Sequence, residues 1–241
     1  MTGAGPVRAG LALGAAALLA SGPPALAQAY QCRVPERVSV PRIAPDGERR
    51  ELRVTGYTFA LSWSPEHCRD AGSRAGRLRQ CNRRNGWFGL IVHGLWPEGP
   101  GGRWPQWCRT RYRPSGEMLA RRLCMSPSAA LLARQWAKHG SCMVRRPSTY
   151  YRVQQILWDS YDKPDLDRLS RKDGLTAGDL RDAWIAANPH FPRGSIGIDR
   201  NERGWLEEIR LCYDNDWMPT DCGRRRYGPA DAAPLSIWRG L

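Results

Sequence analysis

The sequence lacks the features of a membrane protein and of a metal-binding protein. Its apolar run over residues 11–20 is shorter than the roughly 20 residues that a bilayer-spanning helix requires, and no later run approaches that length. No Cys-x-x-Cys pair and no cluster of Cys and His at zinc spacing occurs. Internal repeats and low-complexity linkers are also missing. We therefore expect no membrane span, no metal and no cofactor.

The first 27 residues have the pattern of a secretory signal. They hold one charge, Arg8, followed by the apolar run and by the small-x-small sequence at 25–27 that signal peptidase recognises. Removal of residues 1–27 leaves 28–241, which is 241 − 27 = 214 residues and fits one domain with a full core. We expect a monomeric protein that is secreted or periplasmic.

All eight cysteines follow this peptide, and an even number in an oxidising compartment predicts four disulfides. Their spacing does not determine the pairing.

The net charge is +14, or +13 without Arg8, so the protein either binds a polyanion or stays soluble by self-repulsion. The 11 tryptophans favour the polyanion, because bases of single-stranded nucleic acid stack on aromatic faces beside arginine.

The hydrophobic pattern predicts one α+β domain. Strands first, helices between them and a strand last are typical of that class. The predicted strands cover 52–63, 87–92 and, more weakly, 205–212. The predicted helices cover 115–123, 126–139, 149–161 and 176–187. An extended arm at 28–51, loops at 65–86 and 98–113, and a basic loop from Arg224 are predicted for the remainder.

The segment 134–142 (RQWAKHGSC) combines an amide, an ammonium and an imidazole. In a predicted helix that ends at Gly140, the side chains of Gln135, Lys138 and His139 share one face. The alternative is that Lys and His merely favour a helix carboxyl end. Lysine is otherwise nearly absent, since 34 of the 37 basic residues are Arg, and this exception indicates that a compact ammonium is required here.

His93 lies in the second distinctive segment, 91–97 (IVHGLWP). On the predicted strand it shares a face with Trp87, and the chain is predicted to turn at Gly94. A lone histidine is more often a structural hydrogen-bonding residue. However, of the four histidines only His93 and His139 stand at element ends beside glycine, where a ring can face a substrate.

Two such imidazoles on a basic, secreted scaffold indicate cleavage of RNA. RNA carries its own nucleophile, the 2′-hydroxyl, so the reaction needs one group to accept its proton and another to protonate the departing 5′-oxygen. Cations must also stabilise the charge on the phosphoryl oxygens. His93 and His139 suit the first two roles, and Lys138 and Arg134 suit the third.

The segments 93–97 (HGLWP) and 136–142 (WAKHGSC) resemble the two signature segments of the ribonuclease T2 family, in the same order. The segment 61–65 (LSWSP) resembles the opening strand of bacterial members. The resemblance covers most of 28–241 and implies a disulfide-bonded α+β domain whose central antiparallel sheet is flanked by helices. It also implies the disulfide pairs Cys108 with Cys142, Cys68 with Cys81, Cys212 with Cys222, and Cys32 with the remaining Cys124.

The resemblance implies that His139 is the general base and His93 the general acid, with Lys138 stabilising the pentacoordinate phosphorus. Family members commonly have His-Glu where this chain has Arg134-Gln135. Arg134 keeps a positive charge for the phosphate, and Gln135 keeps a hydrogen-bonding amide but loses a carboxylate, so the rate is in question more than the reaction type. The positions implied to hold a base are Trp96, Glu98 and Trp104.

The sequence therefore predicts an endoribonuclease that cleaves single-stranded RNA through a 2′,3′-cyclic phosphate to 3′-phosphate ends, with low base specificity. The first alternative is a catalytically weak or silent protein that binds RNA or another polyanion on the same fold. The presence of His93, Lys138 and His139 together argues against it. The second alternative, a metal-dependent nuclease, requires clustered Asp, Glu and His ligands that the sequence lacks.

Overall fold

A computed structural model describes residues 1–3 and 29–240 of the protein. The body of the predicted signal peptide, residues 4–27, lies outside the described residues. Within the described part of the chain, no helix has the length and apolarity needed to cross a bilayer.

The centre of the fold is an antiparallel sheet. The strands of the described chain are β1 (Ala29–Tyr30), β2 (Gly56–Trp63), β3 (Trp87–Phe88), β4 (Leu90–Glu98), β5 (Ile196–Arg200) and β6 (Leu206–Tyr213). Four of them form the central sheet in the order β4-β2-β6-β5, and a separate two-stranded ribbon joins β1 to β3. The structure confirms the α+β class, with helices around an antiparallel sheet.

The helices pack on the sheet through a core rich in large aromatic side chains. Trp136, Tyr150, Tyr151 and Trp184 are all fully buried, and Tyr151 donates its hydroxyl hydrogen to the Leu132 carbonyl at 2.9 Å. The helices are α1 (Ser64–Ala71), α2 (Gly116–Ala120), α3 (Ala129–Gln135), α4 (Ser141–Met143), α5 (Pro147–Asp159), α6 (Leu166–Leu169), α7 (Ala177–Ala187) and α8 (Gly223–Tyr227). Short 3₁₀ turns occur at Gly72–Arg77, Pro100–Gly102 and Arg193–Ser195.

The predicted turn at Gly94 is wrong, because strand β4 continues through it to Glu98. Opposite β2, Ala60 pairs with Gly94 and Leu61 pairs with Val92, so His93 is the extra residue of a β-bulge. A bulge bends its strand and changes the direction of a side chain, and bulges are enriched beside active sites.

The predicted helix over 126–139 also has different ends. It begins at Ala129, where the Ser128 hydroxyl caps the helix by accepting the Leu131 N–H at 3.2 Å. It does not stop at Gly140, because the backbone forms a π-helical turn over Trp136–Gly140 and then continues into α4. Gly140 is needed for packing instead of termination, since a Cβ there would lie 2.6 Å from Trp136 Cε3.

Two segments predicted as loops contain helices. Ser64, Pro65 and Glu66 begin α1, with Pro65 in the first turn, where proline is favoured, and a 3₁₀ turn follows it. The basic tail forms α8, which was predicted as loop from Arg224. Strand β5 was also missed in the sequence.

Four disulfides are present, and they are the pairs that the resemblance implied. Cys108–Cys142 joins the loop after β4 to α4, immediately beyond the π-helical turn. The remaining bridges are Cys32–Cys124, Cys68–Cys81 and Cys212–Cys222.

Candidate active site

The two distinctive histidines flank one tryptophan. His93 comes from the bulge of β4 and His139 from the π-helical turn. The Trp96 ring centroid lies 5.2 Å from that of His93, edge to face, and 5.9 Å from that of His139. The bulge and the π turn, both irregular, therefore bring two imidazoles to one site.

His93 is held by a buried carboxylate. Its Nδ1 lies 2.6 Å from Oε2 of Glu208, a residue of strand β6 that is only 5% exposed. Arg210 Nε donates to the other carboxylate oxygen at 2.9 Å, and the Ser62 hydroxyl also donates to Glu208. Burial raises the pKa of Glu208, but the hydrogen bond with His93 and the positive charges of His93 and Arg210 outweigh it and keep the pKa below its ordinary value. An ionised Glu208 accepts a hydrogen bond from Nδ1–H, which leaves Nε2 available for chemistry.

His139 occupies a different electrostatic environment. It is 7% exposed, and its Nδ1 is buried with no hydrogen-bond partner among the described residues. Burial, reinforced by the positive charge of Lys138, lowers the pKa of His139 to about 3. The imidazole of His139 is therefore neutral at neutral pH.

Arg134 and Lys138 lie together beside the histidines, and both contact the same acid. Asp46, from the N-terminal arm, forms an ion pair with Arg134 and lies 3.5 Å from Lys138 Nζ. The Trp107 ring lies 5.8 Å from each cation. The hydrogen bond from Arg134 is the main reason that the pKa of Asp46 is lowered. The pair of cations is thus already associated with a carboxylate.

Gln135 lies behind Trp96. Its Oε1 accepts a hydrogen bond from Trp96 Nε1 at 2.8 Å, and the residue is only 5% exposed. Gly94 permits this contact, because a Cβ at that position would lie 2.3 Å from Gln135 Oε1 and 2.5 Å from Trp96 Nε1. The glycine of the HGLWP segment is therefore required by close packing.

A cavity of about 360 Å³, which we call the Trp96 cavity, opens beside His139 and Lys138. The sequence-predicted base-binding positions all line it, and the structure adds arginines from α8 that sequence reasoning missed. The basic run at 224–226 was the only signal for them. The residues of this wall are Trp96, Glu98, Trp104, Arg225 and Arg226.

The carboxylate of Glu98 is already engaged. It accepts from the Thr58 hydroxyl at 2.7 Å and pairs with Arg226 at 3.2 Å. The Trp104 ring, in contrast, has the Arg225 guanidinium 5.4 Å from its centroid. The Trp96 cavity therefore presents aromatic and basic groups.

A second cavity of about 590 Å³, which we call the His93 cavity, has His93 in its wall. Its wall includes His93, Ser62, His67, Arg77 and Gln80. Burial lowers the pKa of His67, with a smaller contribution from the charge of His93. His93 lines the second cavity and His139 lines the first, so each cavity has one of the two histidines in its wall.

Within residues 1–3 and 29–240, no three His, Cys, Asp or Glu side chains are arranged to hold a metal ion. Glu208, Arg210 and Asp46 were not singled out in the sequence. Glu208 and Arg210 gave only a weak signal, as charged residues within an otherwise apolar strand.

The chain is similar to known ribonucleases. It is 43% identical over 165 residues to a ribonuclease of Aeromonas hydrophila, which covers 66% of this chain and 72% of that relative. It is 31% identical over 189 residues to a probable ribonuclease of Haemophilus influenzae, covering 73% of this chain. The chain spans 64% of the length of that relative, slightly less than two thirds. No protein-family model matches the chain.

The fold is shared with a solved ribonuclease. The crystal structure of RNase NT in complex with 5′-AMP superposes with a TM-score of 0.58, at 19% identity, over 77% of this chain and 98% of that chain. The antiparallel sheet, the four bridges and these similarities define the chain as a protein of the ribonuclease-like α+β class. More narrowly, the chain belongs to the ribonuclease T2 family of enzymes.

Proposed function

We propose that the protein is an endoribonuclease that cleaves single-stranded RNA by transphosphorylation. The 2′-oxygen attacks the adjacent phosphorus, the bond from phosphorus to the 5′-oxygen breaks, and a 2′,3′-cyclic phosphate forms. Water then opens the cyclic ester to a 3′-phosphate. The observation that carries the proposal is the placement of two imidazoles beside Trp96, of which His93 contacts the buried carboxylate of Glu208 and His139 is buried beside Lys138.

His139 is the general base in this proposal. Burial keeps its imidazole neutral, so it can accept the 2′-hydroxyl proton. A phosphate bound beside it adds negative charge, which favours the protonated form and increases its proton affinity in the complex. The His139 imidazole is therefore neutral in the free protein, and the phosphate of the bound RNA makes it a stronger base.

His93 is the general acid. The ionised Glu208 stabilises its imidazolium and fixes Nδ1 as the atom that donates to the carboxylate. Nε2–H is then directed to the departing 5′-oxygen. Since His93 lines the second space, the nucleotide on the 3′ side of the broken bond lies in the His93 cavity, and the nucleotide that carries the 2′-hydroxyl lies in the Trp96 cavity.

Lys138 and Arg134 stabilise the charge that gathers on the phosphoryl oxygens. They lie on adjacent turns and already converge on the carboxylate of Asp46, so an anion can contact both. Gln135 acts indirectly: it orients Trp96 through the hydrogen bond to the indole N–H. Asp46 must be displaced when the phosphate binds.

The protein has low base specificity in this proposal. Trp96 and Trp104 offer flat aromatic faces, and stacking tolerates every base. Glu98 is the one carboxylate in the wall of the Trp96 cavity, and its bonds to Thr58 and Arg226 reduce its capacity to select one base. Comparing kcat/KM on dinucleotides that differ only in the 5′ base tests this point.

We further propose that residues 1–27 direct export, that 28–241 form the catalytic domain, and that the domain acts as a monomer outside the cytoplasm. The four disulfides support an oxidising compartment. Sequencing the amino terminus of the exported protein and measuring its mass in solution test these points.

The central experiment is incubation of the purified protein with single-stranded RNA in excess chelator, followed by analysis of the ends. The proposal expects cyclic phosphates early and 3′-phosphates late, with no effect of the chelator. RNA that is bound but uncut would indicate the silent binding protein, and cleavage that stops in chelator would indicate a metal-dependent reaction.

A further inference from the structure

A basic segment leads into the active site, and its arginines have no part in the proposed chemistry. Residues 71–86 contain five arginines and no acidic residue. The Cys68–Cys81 bridge holds the first part of the segment against α1. From here it runs into β3 and β4, which carry Trp87 and His93.

The segment connects two cavities. Gln80 lies in the wall of the His93 cavity and also in the wall of a third cavity of about 330 Å³. Its amide is fixed by donating to the Ser64 hydroxyl at 2.8 Å. Because both cavities share this residue, the third cavity adjoins the His93 cavity. The third cavity is lined by Arg69, Arg83, Trp87, Trp238 and Arg239 among others.

Arginine and tryptophan alternate along this surface. Trp87 is 51% exposed, and the Arg83 guanidinium lies 4.4 Å from its ring centroid. Arg69, which pairs with Glu66 at 2.8 Å, lies 4.3 Å and 4.9 Å from the rings of Trp205 and Trp238. A positive groove with aromatic side chains is the arrangement with which proteins bind single-stranded nucleic acid.

The arginines of the segment are also available for an anion. Arg77 and Arg83 are exposed and form no ion pair within the described part of the chain. At the active site, in contrast, Arg134, Arg210 and Arg226 each pair with a carboxylate. Arg77 and Arg83 therefore carry positive charge that no carboxylate of the described residues neutralises.

We propose that this surface, the arginine track formed by Arg77, Arg79, Gln80, Arg83 and Trp87, binds single-stranded RNA on the 3′ side of the cleaved bond. The polarity rests on the proposed function, because it follows from the assignment of His93 to the leaving 5′-oxygen. Trp87 stacks one base, and Arg77 and Arg83 contact phosphates. Trp87 precedes His93 by six residues, which in strand conformation extend over at most roughly 20 Å. A few nucleotides beyond the cleavage point reach that far.

The test compares three RNAs: a dinucleotide, the same dinucleotide extended by several nucleotides at its 3′ end, and one extended equally at its 5′ end. The enzymes are wild type, Trp87→Ala, Trp87→Phe and Arg83→Ala. Ile156→Ala removes an equally exposed hydrophobic side chain, 57% accessible on α5, and is the matched control. Arg121→Ala, on an exposed residue that pairs with Glu117, is the control for charge.

We expect the 3′ extension to lower KM for wild type by about tenfold, the scale of one stacked base and its phosphate contacts. Trp87→Ala abolishes most of this gain and Trp87→Phe retains much of it. Arg83→Ala reduces the gain that the 3′ extension gives and makes KM less dependent on salt. All of the enzymes cleave the dinucleotide with the same KM, and all of them cleave the 5′-extended RNA with the same KM. The two control variants behave as wild type on every RNA.

The inference is overturned if Trp87→Ala leaves the KM of the 3′-extended RNA unchanged, or raises the KM of the dinucleotide by the same factor. Binding of an uncleavable 2′-deoxy form of the 3′-extended strand separates this result from a failure of the proposed function. A wild-type protein that cuts none of the RNAs refutes the catalytic proposal. The track is still supported if the deoxy strand then binds more weakly to Trp87→Ala, and is refuted if it binds both proteins equally.

Discussion

Asp46 forms an ion pair with Arg134, although 88 residues separate them in the chain. The same carboxylate reaches Lys138, so one acid of the N-terminal arm contacts both cations proposed to bind phosphate. Asp46 is exposed, which allows it to leave. An acid in this position competes with the substrate for the same two side chains.

Asp46→Asn should therefore lower KM for RNA by about two- to fivefold, because an exposed ion pair is weak and its loss removes a competitor. The turnover number should change little. Glu51→Gln is the matched control, since Glu51 lies on the same arm and pairs with Arg49, away from the cations. A rise in KM for Asp46→Asn would mean that Asp46 positions the cations instead of competing for them.

Replacing His93 or His139 with Ala should reduce turnover by at least ~100-fold in each case, the usual effect of losing a positioned acid or base. Circular dichroism of both variants controls for folding. Turnover near that of wild type in either variant would refute the two-histidine mechanism.

Glu208→Gln should lower kcat by about tenfold or more with little effect on KM, because the amide keeps the shape but cannot stabilise the imidazolium of His93. The alkaline limb of the kcat/KM profile should move to lower pH, since removal of a negative charge favours loss of the catalytic proton. Ser62→Ala, which removes only a weaker contact to the same carboxylate, is the control. An unchanged pH profile in Glu208→Gln would indicate a purely structural carboxylate.

The low pKa of His139 predicts a specific dependence of stability on pH. In the unfolded chain this imidazole titrates near 6.5, whereas burial lowers its pKa to about 3 in the folded state. The unfolded state binds the extra proton between these values, so the free energy of unfolding falls as pH decreases from 6.5 to about 3. His139→Gln should lose this part of the slope, by a few kcal/mol over the window. Equal slopes in urea-unfolding titrations of both proteins would contradict the burial of a neutral imidazole.

Gln135→Glu should raise turnover by less than about tenfold, since a carboxylate retains the acceptor for Trp96 Nε1 and the added gain is near 1 kcal/mol. Gln135→Ala should lower turnover, because the indole of Trp96 loses the bond that orients it. Single-turnover rates of both variants decide the matter. If Ala matches wild type while Glu is slower, Gln135 has no role in the site.

Sequence reasoning found the residues that lie close together in the chain. Lys138 and His139 are neighbours, and Trp96 follows His93 by three positions, so local spacing was informative. Glu208 and Asp46 reach the site only through tertiary structure, by strand pairing and by the course of the N-terminal arm. No periodicity in the sequence indicates such contacts.

The local irregularities were also beyond the sequence pattern. Strand and helix periodicities assume regular elements, whereas His93 lies on a bulge and His139 in a π-helical turn. The regular strand and helix periodicities therefore predict that a strand ends at Gly94 and a helix ends at Gly140. Both glycines are instead places where a Cβ would collide with a neighbouring side chain. The helix start at Ser64-Pro65 was a readable signal, and the irregular arginine-rich sequence after it obscured that signal.

The Cys108–Cys142 bridge has a consequence for the cell that makes the enzyme. It ties the loop that carries Trp107 to the end of the catalytic turn, and Trp107 also donates its backbone N–H to the Lys138 carbonyl at 2.8 Å. In a reducing cytoplasm this covalent tie cannot persist. We therefore expect newly made chains to be inactive while they share a compartment with the transcripts of their own host. On the proposed function, activity would begin only after oxidation, and the bridge would keep the RNA of the producing cell from being cleaved.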